Sequence, residues 1–287
     1  MLTVTCQVDP TQSSTYALAN SGVDFNQAYV DGSYISGNYF TDNMEVAGVS
    51  LTALEMGLAT SGSGILNGIM GVSFDNDEAE FSQLGLTYPT IIDTMFTQGV
   101  IDVHAYSLYL DDLDASSGEI IFGGYDYSKY SGDLVNVPIV TGPNNGFWVN
   151  WNSVSITTNS ATAIFATGTA GPTPALLDSG TASIRVPAAI YSPVASYFGV
   201  NTADNTIDCD VVNVDGSVDF AFDGVSISVP FSEMAFPVEE STGTCTFVFL
   251  QVGDGDDVIL GDPFLRSAYV YYDLDNYVCG LAQTVFT

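Results

Sequence analysis

The chain has 287 residues, 46% hydrophobic and 13% charged, enough to bury a sizeable core in one large domain or two lobes. Its 34 acidic side chains face three basic ones, Lys129, Arg185 and Arg266, giving a formal charge of −31. Three cations cannot neutralise a phosphate backbone or an anionic bilayer, so nucleic acid and membrane surfaces are excluded as partners. The single histidine, His104, rules out a zinc site with several imidazole ligands, and any Ser-His-Asp or Cys-His site would have to use it.

Taken in chain order, the pattern is that of strands. "MLTVTCQVDPTQSS" has neither the basic start nor the apolar core of a signal peptide. "LNGIMGVSF" (66–74) sets paired aliphatics before Gly71, and the acidic run "DNDEAE" after it reads as a solvated turn, without calcium-loop spacing. "TIIDTMFTQG" (90–99) predicts a short helix. "AYSLYL" (105–110) and "GEIIFGG" (118–124) predict strands, rich in β-branched and aromatic residues and bounded by turn formers. His104 opens the first of these and Lys129 lies in the polar loop "DYSKYSGD"; both read as structural. "VTGPNNGF" is a soft stretch that predicts a lobe junction near residue 141.

Then comes "PALLDSGTASIRVP" (174–187), an apolar run ending on Asp178-Ser179-Gly180-Thr181. Gly180 allows a tight turn, and the Thr181 hydroxyl and nearby amides can orient a carboxylate. The same residues also make an ordinary β-turn. "PAAIYSPVASYFG" (187–199), with Pro187 at its start and Gly199 at its end, predicts a second helix. "VSISVPF" and "CTFVFLQV" predict further strands. "DVILGDPFL" (257–265) echoes the segment around Gly71 and suggests two related lobes, and "SAYVYYDL" is another strand. Cys6, Cys209, Cys245 and Cys279 allow three full pairings, and none forms a close CxxC pair.

The ordered set of segments resembles the pepsin-like aspartic endopeptidases, most closely the secreted fungal candidapepsins. "LLDSGTASI" is similar to the second catalytic motif. "AYVDGSYISGNYFTD" is similar to the flap hairpin, with Tyr29, Asp31, Gly32 and Ser33 matching its pattern. "NGIMGVSF" and "VILGDPFLRSAYVYYDLDN" resemble the segments behind the two active-site loops. The resemblance covers nearly the whole chain. It implies a mostly β, bilobal acid protease fold, with an N-terminal lobe (1–140) carrying the flap and a C-terminal lobe (141–287) carrying the Asp-Ser-Gly motif. It implies cleavage of peptide bonds in acid by two facing carboxylates that share a proton, with no metal or cofactor.

Carried over residue by residue, Asp178 is the C-lobe catalytic carboxylate. Tyr29, Asp31, Gly32, Ser33, Gly180 and Thr181 bind substrate backbone, and Ile69 lines an apolar side-chain pocket. The resemblance pairs Cys209 with Cys245, gives Cys6 a partner upstream, and leaves Cys279 as a buried apolar residue. Arg185 departs from it, because candidapepsins tend to have an aromatic residue there. The family's first Asp-Thr-Gly motif, which precedes the flap, does not occur, so the chain is expected to be an N-terminally incomplete member, inactive as written. Missing strands would leave apolar surface near Asp178. The resemblance also implies a secreted monomer acting on protein or peptide substrates; the alternative is a non-catalytic peptide-binding relative. Crowded carboxylates are expected to have raised pKa values on average, with Asp262 among hydrogen-bonded exceptions.

Overall fold

A computed structural model describes residues 8–19, 24–29, 32–65, 67–142, 145–158, 161–166, 172–237 and 243–287. The chain is mostly β and divides into two compact units, residues 1–104 and 105–287.

The first unit is built on long antiparallel strands: β1 (Asp24–Ala28), β2 (Tyr34–Val46) and β3 (Val49–Ser63). β2 is the central strand, pairing with β1 on one side and β3 on the other. Ala47 and Gly48 join β2 to β3, both at positive φ, as a two-residue hairpin turn requires. The β2–β3 ladder shifts register between Ser36 and Gly37. A Cβ at Gly37 would clash with the Leu58 carbonyl, so only glycine fits this bulge. Two helices follow, α1 (Ala79–Leu84) and α2 (Ile91–Thr97). The α2 helix predicted at 90–99 starts on a capping box between Thr90 and Asp93 and buries Ile91, Ile92 and Met95. His104 pairs with Asp93 at 2.7 Å and stacks on Phe96, which places the lone histidine in a structural contact.

The second unit carries, in chain order, β4 (Ala105–Tyr109), β5 (Glu119–Phe122), β6 (Tyr130–Pro138), β7 (Trp148–Trp151), β8 (Thr173–Leu177), β9 (Ile184–Pro187), α3 (Ala188–Phe198), β10 (Phe249–Val252), β11 (Ile259–Leu260), α4 (Asp262–Leu265), β12 (Ala268–Asp273) and β13 (Val278–Thr284). One sheet has the order β5-β4-β12-β13-β6. It explains why the unit boundary falls at 104/105: strands from 105–138 hydrogen-bond to the C-terminal pair β12–β13. Chain-local signals such as "VTGPNNGF" mark a loop but carry no information on such distant pairing.

A second sheet has the order β10-β9-β11-β8-β7. A four-stranded antiparallel sheet (residues 153–166 and 216–230) supplies Phe220, which stacks on Trp151 and packs edge-on against Phe264. All three rings are essentially solvent-free and form the heart of this core. The predicted α3 ends on Gly199 in the left-handed conformation. Cys209 and Cys245 form a disulfide across 36 residues, and Cys279 is free and buried. Cys6 lies outside the described residues.

Candidate active site

The Asp178 turn is held by an interleaved strand arrangement. β8 leads into it and β9 leads out, and β11 lies between them, parallel to β8 and antiparallel to β9. Leu177, Ile184 and Leu260 are 0–3% exposed and fasten the base of the loop. Asp178 N donates to Leu260 O at 3.3 Å, Gly261 N to Ser183 O at 3.2 Å, and Asp262 N to Thr181 O at 2.8 Å. The loop therefore rests on the Gly261 segment through backbone hydrogen bonds. A Cβ at Gly261 would sit well inside contact distance of the Thr181 and Ser183 carbonyls, so this close approach needs glycine.

Within the turn, Thr181 N donates to Asp178 O at 3.3 Å. Gly180 N donates to Asp178 Oδ1 at 2.8 Å and Thr181 Oγ1 to Oδ2 at 2.6 Å. Each carboxylate oxygen thus accepts one bond, which fixes the head while leaving lone pairs for a further proton. Asp178, Gly180 and Thr181 are brought together as the sequence predicts.

Asp262 contradicts its expectation. Burial pushes its carboxyl up to about 6; Arg266 opposes this and the Asp178 charge adds to it. The hydrogen bond here is made by its backbone N–H, and does nothing to stabilise the ionised side chain. Sequence reasoning missed what lies behind: buried Arg266 pairs through Nε with buried Glu233, whose other oxygen accepts from Leu113 N at 3.0 Å. No local signal marks Glu233 as its partner.

In the first unit, the β1–β2 hairpin tip carries Tyr29, Gly32 and Ser33. Tyr29 N donates to Ser33 O at 2.9 Å and Gly32 N to Tyr29 O at 3.0 Å. Gly32 has φ +84° with open space around it, so its backbone conformation is the reason for glycine. Partial burial raises the Tyr29 hydroxyl pKa, and Ser33 is buried. Asp31 lies outside the described residues. Ile69 is 60% exposed and Met70 44% exposed, in a segment without strand structure. The base of the Asp178 loop, where bare apolar surface was expected, is sealed by Leu177, Ile184 and Leu260.

The eukaryotic aspartyl protease family profile matches residues 3–284. An acid protease of Saccharomycopsis fibuligera is 37% identical over 97% of this chain and 71% of its own length. Secreted aspartic protease 3 of Candida albicans is 37% identical over 96% and 67%. Barrierpepsin of Saccharomyces cerevisiae is 32% identical over 95% and 48%, so the chain spans between about half and seven-tenths of these relatives. The crystal structure of an aspartic proteinase from Irpex lacteus superposes with a TM-score of 0.78 at 24% identity, covering 96% of this chain and 84% of that one. The Asp178 turn, the fold and these matches agree, and the chain belongs to the eukaryotic aspartyl protease family, with the pepsin-like fold.

Proposed function

We propose that the protein is an aspartic endopeptidase component that acts on peptide bonds of proteins in an acidic extracellular medium, with Asp178 as one of two carboxylates sharing a proton. The observation that carries this reading is the Asp178 head, held through both oxygens by Gly180 and Thr181 on a loop sealed by Gly261. In such a pair the ionised carboxylate takes a proton from water, whose oxygen attacks the carbonyl carbon. The protonated partner gives its proton to the carbonyl oxygen, and the resulting diol collapses with protonation of the leaving amine. Neither step needs a covalent intermediate on the protein. Tyr29, Asp31, Gly32 and Ser33 hold the peptide backbone in this reading, Ile69 meets an apolar side chain, and the catalytic lobes part near residue 141.

Residues 1–287 hold a single Asp-Ser/Thr-Gly triplet, 178–180. By themselves they are expected to bind peptide without turning it over, which also favours a second reading as a non-catalytic peptide binder. The test is cleavage of a denatured protein between pH 3 and 7. Residues 1–287 alone should be inactive, and a chain extended upstream by an Asp-Thr-Gly-bearing strand pair should cleave, with loss of activity in Asp178→Asn. Inactivity of the extended chain despite tight peptide binding would favour the binder. Statine-sensitive cleavage by residues 1–287 would show that the second carboxylate is already present.

A further inference from the structure

We infer that Arg185 is a specificity-determining residue that receives a carboxylate side chain of the bound peptide, three or four residues from the bond that is cut. The inference rests on the peptidase reading above. Two of the three cations are engaged. Arg266 is paired with Glu233 and lies 5.7 Å from the Phe236 ring centre. Lys129 is 4.0 Å from Glu119 and 4.4 Å from the Tyr109 ring centre. Arg185 alone has no ion pair or side-chain hydrogen bond among the described residues. In a chain with 34 carboxylates, an idle guanidinium calls for a reason.

Its strand supplies one. Ile184 and Val186 are fully buried on one face of β9, so alternation sends the half-buried Arg185 to the other. The flanking strands, Phe249–Val252 and Ile259–Leu260, contain no charged residue. In register, Arg185 stands opposite Leu250, 40% exposed, and Ile259. Asp257, two residues before Ile259 in sequence, makes no ion pair with it. Leu250 keeps this side of the row partly open to solvent, and Arg185 beside it is only partly buried.

The same row leads to the catalytic turn. Ile259 pairs with Leu176, and Asp178 follows Leu176 by two residues at the end of β8. Two strand spacings across and two residues along give a backbone separation of about 12 Å, the length of three to four residues of extended peptide. A guanidinium there matches a carboxylate in two-pronged geometry. Elsewhere the surplus negative charge repels an acidic side chain, so Arg185 defines the one position at which such a side chain gains affinity.

The experiment uses residues 1–287 and a panel of non-cleavable peptides with one reduced peptide bond. A single Glu is moved along the peptide, each position matched by a Gln control, and binding is read by fluorescence anisotropy at pH 5.5. Glu should bind about fivefold more tightly than Gln at one position, three or four residues from the reduced bond. Arg185→Gln should abolish that preference and Arg185→Lys keep part of it, and it should fade at pH 3 as the peptide carboxyl protonates. The chain has two arginines, so the Nε–H correlation spectrum offers a second readout. The signal missing in Arg185→Gln should move with the Glu peptide and not with its Gln control. Equal binding of Glu and Gln peptides everywhere, or a Glu preference that survives Arg185→Gln, overturns the assignment while leaving peptide binding intact. Failure of every peptide to bind, Gln controls included, overturns the peptidase reading and this inference with it.

Discussion

The two aliphatic-Gly segments, around Gly71 and Gly261, look alike in sequence and differ in structure. Ile259 and Leu260 form a strand clasped between β8 and β9, and Gly261 backs the Asp178 turn so closely that no Cβ fits. Ile69 and Met70 are exposed, form no strand, and a Cβ at Gly71 would meet nothing within 4 Å. The difference teaches that such a segment does not make its own strand. It becomes one when a loop-bearing strand pair encloses it, and the same pair carries the Asp178 turn.

Glycine-to-alanine substitution tests that contrast most sharply. Gly261→Ala should destabilise the second unit by about 4 kcal/mol or more, because backbone must move to admit the methyl. Gly71→Ala should stay within about 0.5 kcal/mol. Hydrogen exchange resolved by residue would measure both, and equal costs would dissolve the contrast. Removing the disulfide with Cys209→Ala and Cys245→Ala should lower stability by about 3–4 kcal/mol in the chain-entropy model, confined to the second unit. Loss of protection in residues 24–63 would refute that confinement.

The pH dependence follows from partly buried carboxyls in the two units. Asp262 in the second unit, and Glu55 and Glu78 in the first, have carboxyls raised chiefly by burial. A raised folded pKa contributes stability that is present below the unfolded value and lost as pH rises through the folded value. For Asp262, moved from 3.8 to about 6, that contribution is present at the acid end and lost as pH rises through about 6. Asp262→Asn should flatten the second unit's denaturant midpoint across that window. A slope unchanged by the substitution would assign the dependence elsewhere. Asp42 acts in the opposite sense: hydrogen bonds from Thr15 and Ser13 lower its pKa, so its contribution is present above the unfolded value and fades as pH falls. A modest effect is expected of Thr181→Val, which removes one hydrogen bond to Asp178 and should cost about 1 kcal/mol. A neutral result in urea melts would mean that the Gly261 backing alone fixes the turn.

Local chemistry made much of this readable in advance. Asp-Ser-Gly-Thr carries its own hydrogen-bonding geometry, Pro187 and Gly199 bracket α3, and the resemblance paired Cys209 with Cys245. The illegible parts depend on distant partners. The 104/105 boundary comes from β12 and β13 pairing with strands more than 100 residues earlier, and nothing in "AYSLYL" says which strand will meet it. Asp262 was misjudged because its burial is tertiary. Arg185 was visible as a departure, but its lack of a partner needed the positions of the other two cations.

The order β5-β4-β12-β13-β6 also sets a schedule. β4, β5 and β6 leave the ribosome well before β12 and β13, the two strands that separate β4 from β6. At typical translation speeds the intervening residues, 139 to 267, take on the order of ten seconds. Through that interval β4 and β6 each present an edge that only the last strands will cover, a period in which a nascent chain is open to pairing with a neighbour. Fast elongation through residues 139 to 267, or a chaperone that shields residues 105–138, should therefore raise the yield of folded protein more than any change near Asp178.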